Sequence, residues 1–302
     1  MRIGMSLVEP KGPDPFSRLN EQLQRAADDG FASAWMSNLF GLDALTALAV
    51  AGSRVPGIEL GTAVVPTYPR HPAVLAQQAL TVAAATGGRL TLGIGLSHKI
   101  VIEDMYGYDF SKPVRHMREY LAVLLPLLDG QQADFSGETL NAHIGLDTPA
   151  PGRVPVLVAA LGQRMLRLAG EQADGTVLWM TGPATVREHV VPEITTAAKA
   201  AGRPSPRVVC SLPVWVTDDP DGARARAAEV FAIYGELPSY RAMLDREGAA
   251  GPADVALVGD ENIVAAQITV LADAGVTDFV ARDYARGDDA TRTRQFLTSL
   301  LG

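Results

Sequence analysis

A (β/α)8 barrel is the fold this sequence predicts, and three observations predict it. Short apolar runs ending in Gly, Ser or Thr alternate with amphipathic segments rich in Ala, Leu, Glu and Arg, giving eight strands each followed by a helix. Most of the apolar runs are continuous, as strands buried on both faces of a parallel sheet should be. The chain has 302 residues, enough for a barrel of about 250 residues plus insertions. An open doubly wound sheet fits the alternation too. The count of eight and the absence of G-x-G-x-x-G after the first run favour the closed barrel.

In chain order the strands are expected at 2–7 (RIGMSL), 33–37 (SAWMS), 58–65 (IELGTAVV), 90–95 (LTLGIG), 154–160 (VPVLVAA), 175–180 (GTVLWM), 207–216 (RVVCSLPVWV) and 277–282 (TDFVAR). Between them lie helical segments such as PFSRLNEQLQRAADDG, HPAVLAQQALTVAAATG, PVRHMREYLAVLLPLLDG and ENIVAAQITVLADAG. Their terminal glycines, Gly30, Gly87, Gly130 and Gly275, suit the left-handed residue that follows a helix. The surplus length falls after strands four and seven, at about 131–153 and 234–258, both rich in polar residues, Gly and Pro. Neither shows a composition shift that would mark a second domain, so residues 1–302 read as one.

Composition narrows the function. A net charge of -8 with scattered basic residues provides no footprint for nucleic acid or an anionic membrane. No run of about 18 apolar residues occurs, so no membrane span is expected. The first residues, MRIGMSLVEP, read as a strand rather than a signal peptide. The single cysteine, Cys210, lies in an apolar run and reads as a buried thiol, consistent with a cytoplasmic protein. There is no HExxH, the five histidines are dispersed, and no metal site is expected. DDPDG (218–222) reads as a helix cap, and His71, just before Pro72, as a structural helix start.

A barrel places its site at the C-terminal strand ends. These are Ser37 to Phe40, Ala63 to Arg70, Gly95 to Lys99, Ala159 to Arg164 and Trp179 to Thr181. In LTLGIGLSHK (90–99), His98 stands where a dinucleotide fingerprint would need its third glycine, so the stretch is no Rossmann loop. AALGQRMLRLAG (159–170) is either an ordinary turn or an anion site. Its helix-start amides and Arg164 suit a phosphate.

The ordered set Leu60-Gly61-Thr62-Ala63-Val64, His71-Pro72, Ala76-Gln77-Gln78, Gly88-Arg89 and Leu92-Gly93-Ile94-Gly95 resembles the luciferase-like monooxygenase superfamily. The similarity is greatest to its actinobacterial branch of coenzyme F420-dependent oxidoreductases, and VRHMREYLAVLLPLLDG, FSGETL and VPVLVAALGQRMLRLAGEQADGTVLWM extend it. The resemblance implies a deazaflavin or flavin at the strand C-termini and a cis peptide between Ala63 and Val64. It implies cofactor contacts from Asn38, Ala63, Val64, Pro66, Gly95, Leu96 and Ser97. A phosphate-binding turn is implied at Ala160, Leu161, Gly162, Arg164 and Met165. Sugar-phosphate dehydrogenases of the superfamily carry an Asp-His pair and a Glu where this chain has Asn38-Leu39 and His98, which argues against that activity. Leu161 also stands where many relatives have glycine.

The expected function is hydride transfer from reduced F420 to a C=N or activated C=C bond of a small organic molecule. The alternatives are an FMN-dependent monooxygenase served by a reductase and a non-catalytic flavin-binding barrel. His98 is the candidate proton donor. Leu39, Phe40, Trp179 and Tyr234 are candidate walls of the substrate pocket. The resemblance also makes a homodimer an expectation.

Overall fold

Strand β1 (Arg2–Leu7) pairs in parallel with β2 (Ser33–Met36), which pairs with β3 (Glu59–Thr62). The ring continues through β4 (Leu90–Gly95), β5 (Val156–Val158), β6 (Gly175–Trp179), β7 (Arg207–Val216) and β8 (Asp278–Asp283). Strand β8 returns to β1, with Ile3 beside Phe279, and so closes an eight-stranded parallel barrel. This is a computed structural model, and it describes residues 1–149 and 151–302. Ala150, within the expected insertion at 131–153, lies outside the described residues.

Three departures from the sequence reading have physical causes. The run 58–65 is not one strand: β3 stops at Thr62, and Val65–Pro66 pairs with β4 separately. Gly61 pairs with Thr91 and Val65 with Ile94, so four steps on β3 face three on β4, which is a bulge. The segment after β4 holds an antiparallel hairpin, Ala133–Ser136 with Asn141–Ile144. Within the segment after β7, Leu257–Gly259 adds a short strand along the distal end of β7.

The hairpin turn is held by one side chain. Glu119, on helix Pro113–Leu128, accepts hydrogen bonds from the amides of Glu138 (3.1 Å), Thr139 (2.7 Å) and Leu140 (3.1 Å) and from the Thr139 hydroxyl (2.6 Å). Burial opposes the charge, but these donors hold the Glu119 carboxyl below its ordinary pKa. FSGETL is thus an anchored turn.

Alternation along the strands sorts side chains between the lumen and the helices. Trp35, Leu157, Val177, Val209 and Val280 pack together as the middle of the lumen, with Ala63 and Val64 against them. A Cβ on Gly61 would lie 2.2 Å from the Trp35 ring, so glycine makes room for the indole. Two residues earlier on the strands, a charged floor closes the N-terminal end. There Arg207 reaches across to Glu59 (2.9 Å) and Asp278 (2.8 Å), and Arg2 bonds Glu59 (2.6 Å). The opposite faces carry the larger core under the helices, including Cys210, whose thiol is pushed up to about 12 by burial.

Caps fix several helix starts. Asp219 accepts from the Gly222 amide at 3.0 Å, and His71 Nδ1 accepts from the Ala73 amide at 3.3 Å. No helix among the described residues is long and apolar enough to cross a membrane.

Candidate functional site

The bulge shapes one side of the C-terminal mouth. The Ala63–Val64 peptide is cis, at the position the resemblance implies. Around it the ladder is replaced by a side chain. The Thr62 hydroxyl donates to the Gly93 carbonyl (2.7 Å) and accepts from the Gly93 amide (2.8 Å). The Ala63 amide still donates to Met36 O (2.8 Å), and the Thr67 amide to Gly95 O (2.9 Å). A Cβ at Gly93 would stand 1.9 Å from the Thr62 carbonyl oxygen. At Gly95 it would stand 2.6 Å from Val64 Cγ2 and 3.1 Å from Ala159 Cβ. The two glycines of LTLGIG are therefore packing requirements: they let β4 run directly beneath the bulge. Pro66, two residues beyond the cis bond, pairs with Gly95.

From Gly95 the chain turns onto the rim. Ser97 takes the left-handed conformation (φ 61°), and Leu96, Ser97 and His98 are partly buried. The His98 carbonyl accepts from the Val101 and Ile102 amides, both at 2.9 Å, which starts a π-helical turn over Ile100–Met105. Its ring lies 5.5 Å from that of Tyr240, and burial lowers its pKa. From Tyr240 a line of aromatic rings continues to Tyr234 (5.3 Å), Trp179 (5.5 Å) and Phe231 (5.7 Å). Tyr234 and Tyr240 come from the short helices Ala232–Glu236 and Pro238–Glu247, inside the segment after β7. Sequence reasoning named Trp179 and Tyr234 but missed Tyr240 and Phe231, whose places depend on how these helices fold back.

The four expected wall residues occupy two places. Trp179 and Tyr234 belong to the aromatic line. Leu39 and Phe40, 59% and 69% exposed, line a hollow of about 440 Å³ with Asp43, Arg70 and Tyr106. Asn38 lines the same hollow, and its side chain accepts from the Ala44 amide at 2.9 Å, so Asn38 supports the start of helix Ala44–Gly52. Asp43 caps the same helix through the Thr46 amide (2.8 Å) and pairs with Arg70.

Near this side His116 Nε2 lies 3.0 Å from the Thr67 hydroxyl, and its ring stacks on Tyr68 at 3.9 Å. Burial pushes His116 down to about 4, against the attraction of Glu119. Burial pushes the Tyr68 phenol up to about 12, with Asp109 and Glu103 adding to the effect.

The turn after β5, like the start of helix Pro113–Leu128 and unlike the turn after β6, lacks a side-chain cap. The helix after β6 begins under Glu247, whose carboxylate accepts from the Ala184 (3.0 Å) and Thr185 (2.7 Å) amides. Helix Gln163–Gln172 begins at Gly162 with no side-chain cap. Ala160 is buried, Leu161 is partly buried, and Gly162 and Arg164 are exposed, while Met165 is turned into the core. His189 fixes the turn from behind by donating from Nε2 to the Leu161 carbonyl at 2.7 Å, a contact the sequence did not disclose. The helix-start amides and Arg164 suit an anion arriving from solvent.

The sequence and the fold are similar to those of known proteins. The luciferase-like monooxygenase family model matches residues 1–278. The 5,10-methylenetetrahydromethanopterin reductase of Methanolobus tindarius is 27% identical over 259 residues, covering 84% of this chain and 78% of that protein. The coenzyme F420-dependent tetrahydromethanopterin reductase of Methanopyrus kandleri has a similar structure, with a TM-score of 0.83 at 23% identity over 98% of this chain and 97% of that one. The oxygenating constituent of 3,6-diketocamphane monooxygenase of Pseudomonas putida, solved with FMN, gives 0.77 at 19% identity over 99% and 96%. An eight-stranded barrel with this bulge, matched from its first strand to the start of its last, belongs to the luciferase-like monooxygenase family.

Proposed function

We propose that the chain is an F420-dependent reductase of small organic molecules. The bulge at Ala63–Val64 carries this reading: β4 passes beneath it on Gly93 and Gly95, leaving a ridge free of β4 side chains against which a flat ring fits. The uncapped turn at Leu161–Gly162, with Arg164, suits the cofactor's phosphate, and Leu96 and Ser97 border the ring. Ala63, Val64, Pro66 and Ala160 form the supporting surface, while Asn38 steadies the first amide of helix Ala44–Gly52 beside it and Met165 packs in the core behind it. Reduced F420, when bound, supplies a hydride to an electron-poor C=N or C=C carbon. The aromatic line of Tyr240, Tyr234 and Trp179 excludes water and stacks the substrate.

A second reading, FMN-dependent oxygenation, draws on the fold shared with the FMN-bound Pseudomonas putida protein. Titrating the purified chain with F420 and with FMN separates the two. Saturable F420 binding, with oxidation of reduced F420 by a panel of imines and enones, is the expected result. FMN binding with oxygen-dependent turnover and no F420 binding overturns the proposal.

His98 Nε2 or Nδ1 is the proposed carrier of the proton. Because burial lowers its pKa, the imidazolium is scarce at neutral pH. Turnover is therefore expected to be greatest in acid and to fall as pH rises through an inflection below the ordinary histidine value of about 6.5. His98→Ala is expected to lower kcat about 100-fold and to erase that inflection, with F420 affinity unchanged. A pH profile of kcat/KM followed by F420 absorbance checks this; an inflection that survives in the variant removes His98 from the mechanism.

A further inference from the structure

Arg282 stands apart from the other arginines. Among the described residues, every other arginine that is not exposed makes at least one hydrogen bond or ion pair, and Arg282 makes none. It sits near the end of β8, paired in register with Pro213 of β7. Val280 belongs to the lumen cluster, so Arg282, two residues on, shares its face and is carried one step towards the C-terminal mouth. Its neighbour Asp283 takes the opposite face and accepts from the Ala285 amide at 2.9 Å. Trp179 bears the same relation to Val177, another lumen residue, on β6. The buried indole N–H of Trp179 lies near the Tyr234 oxygen without reaching hydrogen-bond geometry, and Tyr234 is close enough to feel the charge of Arg282.

A partly buried guanidinium with no hydrogen bond or ion pair lowers stability, because it gives up hydration and gains only the through-space attraction of Asp283, which faces the other side of the strand. At the mouth of a barrel, a ligand can provide that counter-charge. We propose that Arg282 binds a carboxylate on the substrate, whose apolar body lies along Trp179 and Tyr234. This rests on the reading of the mouth as the substrate site. The planar fork of the guanidinium matches a carboxylate in two parallel hydrogen bonds. One cation balances one negative charge. A phosphate monoester dianion would leave a second charge unmatched, since Arg70 is engaged by Asp43.

Calorimetric titration of the full chain, with and without F420, tests the assignment using trans-cinnamate, cinnamamide and phenyl phosphate. Cinnamate is expected to bind about tenfold or more tightly than the isosteric amide. Arg282→Gln, checked for native circular dichroism, is expected to remove that preference by weakening cinnamate alone, and Arg282→Lys to restore part of it. The proposal is overturned by equal affinities for acid and amide, by a preference that survives Arg282→Gln, or by phenyl phosphate binding more tightly than cinnamate. It is also overturned if Arg282→Gln weakens F420 and spares cinnamate. Because the acid–amide preference is read without cofactor, failure of F420 to bind would refute the reductase reading while leaving this result intact.

Discussion

Gly93→Ala is expected to prevent the barrel from folding stably, whereas Gly95→Ala folds and loses cofactor affinity. The two positions are two residues apart on β4 and face the same bulge, yet what they meet differs. A Cβ at 93 would lie 1.9 Å from the Thr62 carbonyl oxygen and 3.1 Å from its carbon, and that backbone has no freedom to withdraw. Thr62 is itself tied to Gly93 by two hydrogen bonds, at 2.7 and 2.8 Å, so any retreat of the carbonyl breaks the contacts that replace the ladder. Overpacking a well-packed core costs about 1–3 kcal/mol where side chains can yield, and a clash with backbone exceeds that.

At 95 the nearest atoms are the Val64 Cγ2 methyl, at 2.6 Å, and Ala159 Cβ, at 3.1 Å. Val64 can turn, at a cost of about 1–3 kcal/mol, but its displaced methyl then occupies the ridge proposed to support the ring. Urea midpoints and F420 titration separate the outcomes. A Gly93→Ala protein as stable as the parent, or a Gly95→Ala protein with full F420 affinity, contradicts this account of the glycines.

The barrel was legible because parallel strands covered on both faces leave continuous apolar runs that stand out from the helices. What was not legible depends on contacts distant in sequence. The hairpin strands after β4 are four residues each and mostly exposed, and their turn is fixed by Glu119 from the preceding helix rather than by its own residues. IELGTAVV reads as one strand on residue type, and the cis peptide at Ala63–Val64 was anticipated through the family resemblance alone. The place of His98 on the rim followed from barrel geometry. Its neighbour Tyr240 did not, since the two are joined by the fold-back of helix Pro238–Glu247. Arg282 was within reach: it closes the predicted strand TDFVAR, and counting by twos from Val280 puts it on the lumen face. What no count could show is that it has no partner.

At the other end of the barrel, Arg207→Met is expected to lower stability by about 2–4 kcal/mol while leaving turnover unchanged. Arg207 joins β7 to β8 through Asp278 and, across the lumen, to β3 through Glu59, and it approaches the Thr91 hydroxyl of β4 at 3.4 Å. Removing it strands the two carboxylates unequally. Glu59 keeps Arg2 at 2.6 Å, but Asp278, 3% exposed in its side chain, keeps Arg2 only at 3.3 Å. Breaking a fully buried ion pair from one side costs about 3–5 kcal/mol, and the 24% side-chain exposure of Arg207 reduces that figure.

If the loss comes from a stranded charge, removing the charge should recover it. The double variant Arg207→Met with Asp278→Leu is therefore expected to regain at least about half of what the single variant loses, because apolar groups of similar volume can replace a buried ion pair at little cost. If the floor acts instead through packing alone, the second substitution adds to the first. Urea denaturation of the parent, both single variants and the double variant distinguishes these cases. Steady-state turnover should remain level throughout. From Arg207 to Pro213 is six residues of strand, about 20 Å at the usual rise, which separates the charged floor from the chemistry at the mouth.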